Sequence, residues 1–397
     1  MTNRKNHDQK HRAGGRRTIG RGWAIRAGAI GMTLFAVLLG TVQAPTGAGA
    51  QATTVSPFVA LDSTWSNVVA SANQGKSPSI AFYGDSITAG YFASNPGTTD
   101  FVSDFRTFTS AYQAPASTGW EFASASLPVY TKVSGGWNII PNTDAGFMGD
   151  GVGYGAVGTS GSYTFGPVEA SSFNVMLNIA PVTGAFGYQI DKGPVKSIGG
   201  SGANGTKVTT VSAGTPGLHT ITFTTSTAGL TGPALVVGVE PVLNTGSVVV
   251  TRGGIGGMQS SGPGAGTPSF AGYEVAETLP APTISVFIFG SNDWYAGTPV
   301  ATFQNNLVGM VNAARAAGSS PVLMVPPAPE YSTVATSVAP FTSYENAIVA
   351  VGNSMNVPVI NLAQDLGPWS STYMADPYHP NDLGYEYLAA YVFVALN

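Results

Sequence analysis

From Thr283 to Leu396 the chain alternates runs of strand length with segments of helical period, and few folds accommodate that alternation. Thr283-Ile-Ser-Val-Phe-Ile-Phe289 is a continuous run without polar alternation, as suits a strand buried on both faces. From Pro299 to Ala317, Val300, Phe303, Leu307, Met310, Val311 and Ala314 recur at helical spacing, and Gly318 is placed to end that helix. Pro321–Val325 reads as the next strand, Ser343–Met355 as a helix, Val357–Leu362 as a strand and Leu383–Leu396 as a terminal helix. Nearer the start, Ser79–Tyr83 reads as a strand and Thr99–Tyr112 as a helix. Strands separated by helices pair in parallel, so the expected class is α/β with a doubly wound parallel sheet.

Between about Gly119 and Thr245 the helical period disappears. Ser162–Phe165, Phe173–Ile179, Phe186–Ile190, Thr206–Val211, His219–Thr224 and Ala234–Val239 are short strand-like runs separated by Gly, Pro, Ser and Asn. That spacing predicts an all-β sandwich or jelly roll, with a carbohydrate-binding role as one possibility. Because Gly246–Thr251 resumes a buried-strand pattern, the β-rich segment reads as inserted into the α/β domain. The expected organisation is 1–50 signal, 51–118 first part of the α/β domain, 119–245 insertion and 246–397 second part.

Residues 1–50 have the pattern of an export signal: basic residues to Arg26, an apolar run from Ala27 to Val42, and Ala48-Gly49-Ala50 as a cleavage site. An uncleaved N-terminal anchor is the alternative. Eight of the 16 Lys and Arg and one of the 20 acidic residues fall in the first 26 positions, which leaves eight bases, 19 acids and a net charge of −11 beyond the signal. Such a surface repels phosphate backbones and anionic headgroups, so nucleic-acid partners and stable membrane association after cleavage are not expected. The absence of Cys excludes disulfides and thiolate metal sites. The expected location is extracellular.

Four short stretches place reactive residues just after strand-like runs: Gly84-Asp85-Ser86-Ile87-Thr88, Gly256-Gly257, Gly290-Ser291-Asn292-Asp293 and Asp376-Pro377-Tyr378-His379. In an open parallel sheet, ligands bind outside the carboxyl ends of the strands, so all four fall on one edge. Together they supply a hydroxyl nucleophile, an imidazole base with a carboxylate to orient it, and donors for an oxyanion. Of the four His, His7 and His11 lie in the signal and His219 sits in a strand of the β-rich segment, which leaves His379 as the base. Each stretch alone also fits a helix cap or an Asx turn, and it is their coincidence that favours chemistry.

These blocks resemble those of the GDSL or SGNH hydrolase superfamily of serine esterases and lipases. The resemblance covers about residues 77–118 and 246–397 and implies a flavodoxin-like three-layer α/β/α fold. It implies Ser86 as nucleophile, Asp376 and His379 as the other catalytic residues, and an oxyanion hole from the Ser86 N–H, the Asn292 amide and the Gly257 N–H. Gly257 belongs to a run that also contains Gly254 and Gly256. No cofactor or metal is called for, and Asp144–Asp150 reads as a solvated turn rather than a calcium loop.

The expected function is a secreted serine esterase acting on O-acyl, above all acetyl, groups of a carbohydrate or cell-wall polymer. Trp294, Tyr295, Trp369 and Tyr378 stand close to the blocks, and Trp294 and Tyr378 are the candidate substrate-binding residues. The rivals are a lipase or short-chain acyl esterase, an acyltransferase, and a glycan-binding protein on an inactive hydrolase scaffold.

Overall fold

The computed structural model describes residues 63–122, 131–135, 137–140, 151–154, 161–179, 185–199, 205–224, 234–243, 245–262, 281–330 and 339–397. The expected signal and the Asp144–Asp150 loop lie outside these residues.

The centre is a parallel sheet of β1 (Ser79–Gly84), β2 (Ala116–Phe122), β11 (Val248–Gly254), β12 (Ile284–Ile288), β13 (Ser320–Val325) and β14 (Val359–Asn361), in the spatial order β14-β13-β12-β1-β11-β2. Its strands show why their sequences lack polar alternation. Ile80 and Phe82 of β1, Val286 and Ile288 of β12, and Val322 and Met324 of β13 point to one face. There they pack under α1 (Thr64–Asn73), α3 (Phe101–Tyr112) and α8 (Asp382–Leu396) through Trp65, Phe105 and Leu388. Tyr83, Phe287 and Leu323 point to the other face, under α5 (Val300–Ala316) and α6 (Phe341–Met355) through Leu307, Val311 and Ile348. Both faces are therefore apolar. Each such buried side chain contributes roughly 1.5–3 kcal/mol, and the result is the expected three-layer α/β/α arrangement.

One strand is shorter than its sequence implies. Val357–Leu362 was expected to be extended throughout, but β14 stops at Asn361, whose side chain accepts a hydrogen bond from Gln364 N at 3.0 Å. This cap starts α7 (Leu362–Leu366) at once.

The β-rich segment continues the same sheet in antiparallel fashion. β2 pairs in parallel with β11 from Ala116 and in antiparallel with β10 (Ala234–Val242) at Glu121 and Phe122. The expected boundary at 118/119 thus falls inside β2. Beyond β10 lie β6 (Gly161–Ile179), β9 (Gly205–Thr224), β7 (Ala185–Ile190) and β8 (Lys196–Gly199), while β3 (Thr131–Gly135) pairs with β6 and β5 (Gly151–Tyr154) with β10 and β4 (Trp137–Ile140). The runs expected as separate strands, Ser162–Phe165 with Phe173–Ile179 and Thr206–Val211 with His219–Thr224, are halves of the single strands β6 and β9. Register shifts between Phe165 and Val168 and between Ala170 and Ser172 bend this ribbon. Both halves of β6 bury side chains in one cluster, with Phe165 and Phe173 edge to face at 6.3 Å.

Candidate active site

β1, β11, β12 and β14 run in parallel, so the loops that follow them gather at one edge of the sheet. β1 ends at Gly84, and Asp85 caps the single-turn helix α2 (Ser86–Ala89) by accepting from Ile87 N at 2.9 Å. Ser86 is the first helical residue, nearly buried. Close approach of β11 makes this possible, since a Cβ on Gly254 would lie 2.2 Å from Ala89 N.

Ser86 Oγ and His379 Nε2 are 2.8 Å apart, although 293 residues separate them. On the far side of the ring, His379 Nδ1 lies 2.8 Å from Asp376 Oδ2. With Nδ1–H donated to the carboxylate, Nε2 is left to accept the Ser86 proton. Asp376 is itself fixed, because its Oδ1 accepts from Tyr378 N and His379 N, both at 2.7 Å. Trp369 Nε1 donates to the Asp376 carbonyl at 2.9 Å, and Ala375 N to the His379 carbonyl at 2.8 Å. Trp369 thus holds the loop rather than facing a ligand.

A cavity of about 140 Å³ lies beside the Ser86–His379 pair, lined by Asp85, Ser86, Ile87, Ser291, Asn292, Tyr295, Tyr378 and His379. Of the two candidate substrate-binding residues, Tyr378 lines this cavity and Trp294 does not: it is 3 % exposed, packs edge to face on Phe341 at 5.7 Å, and donates Nε1–H to the Ala339 carbonyl at 3.0 Å. The correction follows from helical geometry. In α4 (Ser291–Ala296) consecutive residues differ by roughly 100° in direction, so Trp294 turns into the core while Tyr295, 63 % exposed, reaches the cavity.

Asn292 Nδ2 donates to Asp85 Oδ2 at 3.1 Å and to the Met258 carbonyl at 3.0 Å. Both amide hydrogens are therefore engaged. Gly257 occupies the left-handed region at φ 77° in the turn closed by Met258 N to Ile255 O, and it is not among the residues lining the cavity.

Four side chains that the sequence reading passed over complete the surroundings. Tyr91 and Phe92 approach the His379 ring with centroids at 4.9 and 5.5 Å. Phe92 is 51 % exposed and has φ 66°, a conformation rare for a side chain of its size. Their loop is tied to α8, where Tyr385 Oη donates to the Tyr91 carbonyl at 2.7 Å and Asp382 accepts from Ser94 N at 2.7 Å. The two adjacent aromatics directly after Gly90 were the available signal.

His219 is elsewhere, in β9. Its Nδ1 bonds Asp191 Oδ2 at 2.7 Å and its Nε2 the Thr215 carbonyl at 2.8 Å. Two acceptors require both ring nitrogens to donate, which agrees with a pKa raised first by Asp191 and then by the Thr215 carbonyl.

Two carboxyls on this side of the sheet titrate far above their ordinary range. Burial pushes Asp85 up to about 7; the Ile87 N–H opposes it, Asp293 adds to it and the Asn292 amide opposes it. Burial pushes Asp104 in α3 up to about 8, helped by Asp100, Glu386 and Asp382 and opposed by Arg106. The unfolded chain loses these protons near pH 4, so between there and pH 8 the folded chain binds more of them. Their stabilisation is complete below the unfolded pKa and is lost as pH rises through about 7 and about 8. Asp100 acts oppositely: although burial raises it, Arg252 and the Ser103 and Gly97 donors hold it low, and its contribution is lost in acid. The melting temperature is therefore expected to be higher at pH 5.5 than at pH 8.5, and Asp104→Asn should flatten that difference in a melting series across the range.

Residues 224–387 match the family model described as the GDSL-like Lipase/Acylhydrolase family. The match takes in Gly257, Asn292, Asp376 and His379, while Ser86 precedes it. No curated protein matches the chain by sequence. A solved structure described as "Peptidoglycan O-acetylesterase in action, 5 min" superposes with a TM-score of 0.64 at 17 % identity, over 84 % of this chain and 95 % of that one. An acetyl xylan esterase gives a TM-score of 0.30 at 18 % identity, over 38 % of this chain and 82 % of its own. A family two carbohydrate esterase from Clostridium thermocellum in complex with cellohexaose gives 0.30 at 13 % identity, over 66 % and 97 %. The first likeness is one of fold; the other two superpose too loosely to add to it. Residues 224–387 carry a GDSL-like lipase/acylhydrolase domain, and the chain is a carboxylic ester hydrolase.

Proposed function

We propose that the chain removes short O-acyl groups, above all acetyl, from a carbohydrate or cell-wall polymer through a Ser86-His379-Asp376 acyl-enzyme route. The observation that carries this reading is the unbroken relay from Ser86 Oγ through His379 to Asp376, at 2.8 Å on each side of the ring. In the first half-reaction His379 Nε2 takes the Ser86 proton as Oγ attacks the ester carbonyl, and Asp376 stabilises the imidazolium that forms. His379 then protonates the leaving sugar oxygen. In the second, it takes a proton from water, which attacks the acyl-Ser86 carbonyl, and returns that proton to Ser86 Oγ as the acid leaves. The chemistry is complete without a cofactor.

The oxyanion is assigned to the Ser86 N–H, the Gly257 N–H and the Asn292 amide. For Asn292 this means an exchange of partners, because the resting amide serves Asp85 and the Met258 carbonyl. A developing full charge competes well against a neutral carbonyl. Asn292→Ala is accordingly expected to lower kcat by ~10²- to 10³-fold with a smaller rise in KM. Steady-state kinetics on acetyl and butyryl aryl esters check this, and the drop should be similar for both. An unchanged kcat would leave Asn292 as a structural partner of Asp85.

The acyl group is assigned by size, since a cavity of about 140 Å³ accepts an acetyl methyl more readily than a long tail. The fold relative described as a peptidoglycan O-acetylesterase and the exposed aromatics Tyr91, Phe92 and Tyr295 support a sugar-bearing alcohol. The proposal includes export by residues 1–50, which would bring the enzyme to wall polymers, and the β-rich segment as an inserted module that meets the glycan. The same exposed aromatics favour a second reading, a longer acyl chain lying across them. Aryl esters from acetyl to palmitoyl separate the two. Acetyl should exceed octanoyl at least tenfold in kcat/KM, with acetate released from acetylated xylan or O-acetylated peptidoglycan. A rate that rises with chain length would replace the acetyl assignment with the lipase reading.

A further inference from the structure

Among the described residues, the sheet face that carries Ala81 and Tyr83 is covered by α5 and α6 on the β12 and β13 side. Followed the other way, across β11, β2, β10, β6 and β9, it opens into a cavity of about 420 Å³, three times the volume beside Ser86. Its floor is low because the side chains there are small: Ser79 and Ala81 on β1 and Ser117 on β2. Tyr83 and Trp120 line it as well.

One wall is polar and ordered. Thr210 of β9 donates to Asn174 Oδ1 at 2.6 Å, and Asn174 Nδ2 of β6 donates to Glu240 Oε2 of β10 at 2.7 Å. Burial pushes the Glu240 carboxyl up, against the lowering effect of the Asn174 amide. Placing a carboxyl and an amide there has a desolvation cost. The strands do not need this ladder to cohere, because their opposite face is already packed through Phe173, Val175, Val211 and Val239. Among the described residues, no Lys or Arg lines the cavity, so an anion would meet Glu240 without a counter-charge. A wholly apolar ligand would shield the ladder from water without bonding it. What fits is a neutral molecule with hydroxyls along one side and an apolar face on the other.

We propose that this cavity is a second ligand site, one that takes one or two rings of a neutral oligosaccharide. The Thr210–Asn174–Glu240 ladder bonds the ring hydroxyls, and Tyr83 and Trp120 bound the apolar side. Neighbouring strands are ~4.8 Å apart, so the three polar groups form a line that a rigid ring can bridge. The volume lies within the ~300–1,000 Å³ usual for small-molecule sites. The site lies along the body of β1 and not at its carboxyl end, so it holds a stretch of polymer away from Ser86, and it stands whether or not the esterase reading does.

Titration calorimetry of the full chain with xylotetraose and with chitotetraose tests it. One of the two should bind, and Asn174→Ala and Thr210→Trp should each weaken that binding at least tenfold while still melting cooperatively. If Thr210→Trp does not fold, Ser77→Trp closes the same rim from the exposed segment just before β1. Absence of binding by both sugars overturns the proposal. So does binding that Asn174→Ala and the rim variant leave at full strength, since the sugar would then sit elsewhere.

Discussion

Replacing Ser86 by Ala should abolish turnover of 4-nitrophenyl acetate, with a loss of about 10⁵- to 10⁶-fold in kcat, while the protein keeps its fold. The loss is large because no other hydroxyl shares the position: Oγ is the atom 2.8 Å from His379 Nε2. The fold should survive because α2 is capped by Asp85, not by Ser86, and because Ser86 contributes one side-chain hydrogen bond worth ~1 kcal/mol. A thermal melt shifted by a few degrees, beside an inactive enzyme, is the expected pair of results. A folded Ser86→Ala protein with wild-type activity would remove the mechanism altogether.

His379→Ala should be as damaging as Ser86→Ala, and the double variant no worse than either, because nucleophile and base act as one unit. His219→Ala supplies the contrast. Its partner Asp191 is 46 % exposed, and a pair of that kind contributes at most ~1 kcal/mol. Turnover should therefore persist, with a slightly lower melting temperature. Were His219 the essential imidazole, the 2.8 Å contact of His379 with Ser86 would have to be incidental, and the candidate site would have to be sought in the β-rich half.

The parallel half of the fold was legible because its strands are buried on both faces, as Ile80 and Tyr83 are, which leaves an unbroken apolar run that little else explains. The antiparallel half was legible only in pieces. Gly166-Pro167 interrupts β6 as a loop would, but partner strands continue the pairing on either side of it, and pairing between distant segments leaves no local mark. The relay could be read from spacing and type, since Asp376 and His379 sit three residues apart in one loop. Trp294 and Tyr295 could not be told apart, because a helix of six residues is too short to show which side is apolar. Nor could the grip of Asp85 on Asn292, a contact across 207 residues that exists only once β1 and β12 lie side by side.

That adjacency also sets an order of events during synthesis. β1 pairs with β11 and β12 alone in the parallel sheet, with Ser79 beside Val249 and Ile80 beside Ile284, so the strand that presents Ser86 stays without neighbours until most of the chain has been made. Contacts of such separation close slowly, since the entropy of a long loop is lost before any pairing energy returns. The proposed nucleophile is thus made early and meets its partner last. On the proposed mechanism, a nascent chain carries its Ser86 as an ordinary hydroxyl, inert toward esters, until the loop bearing His379 arrives.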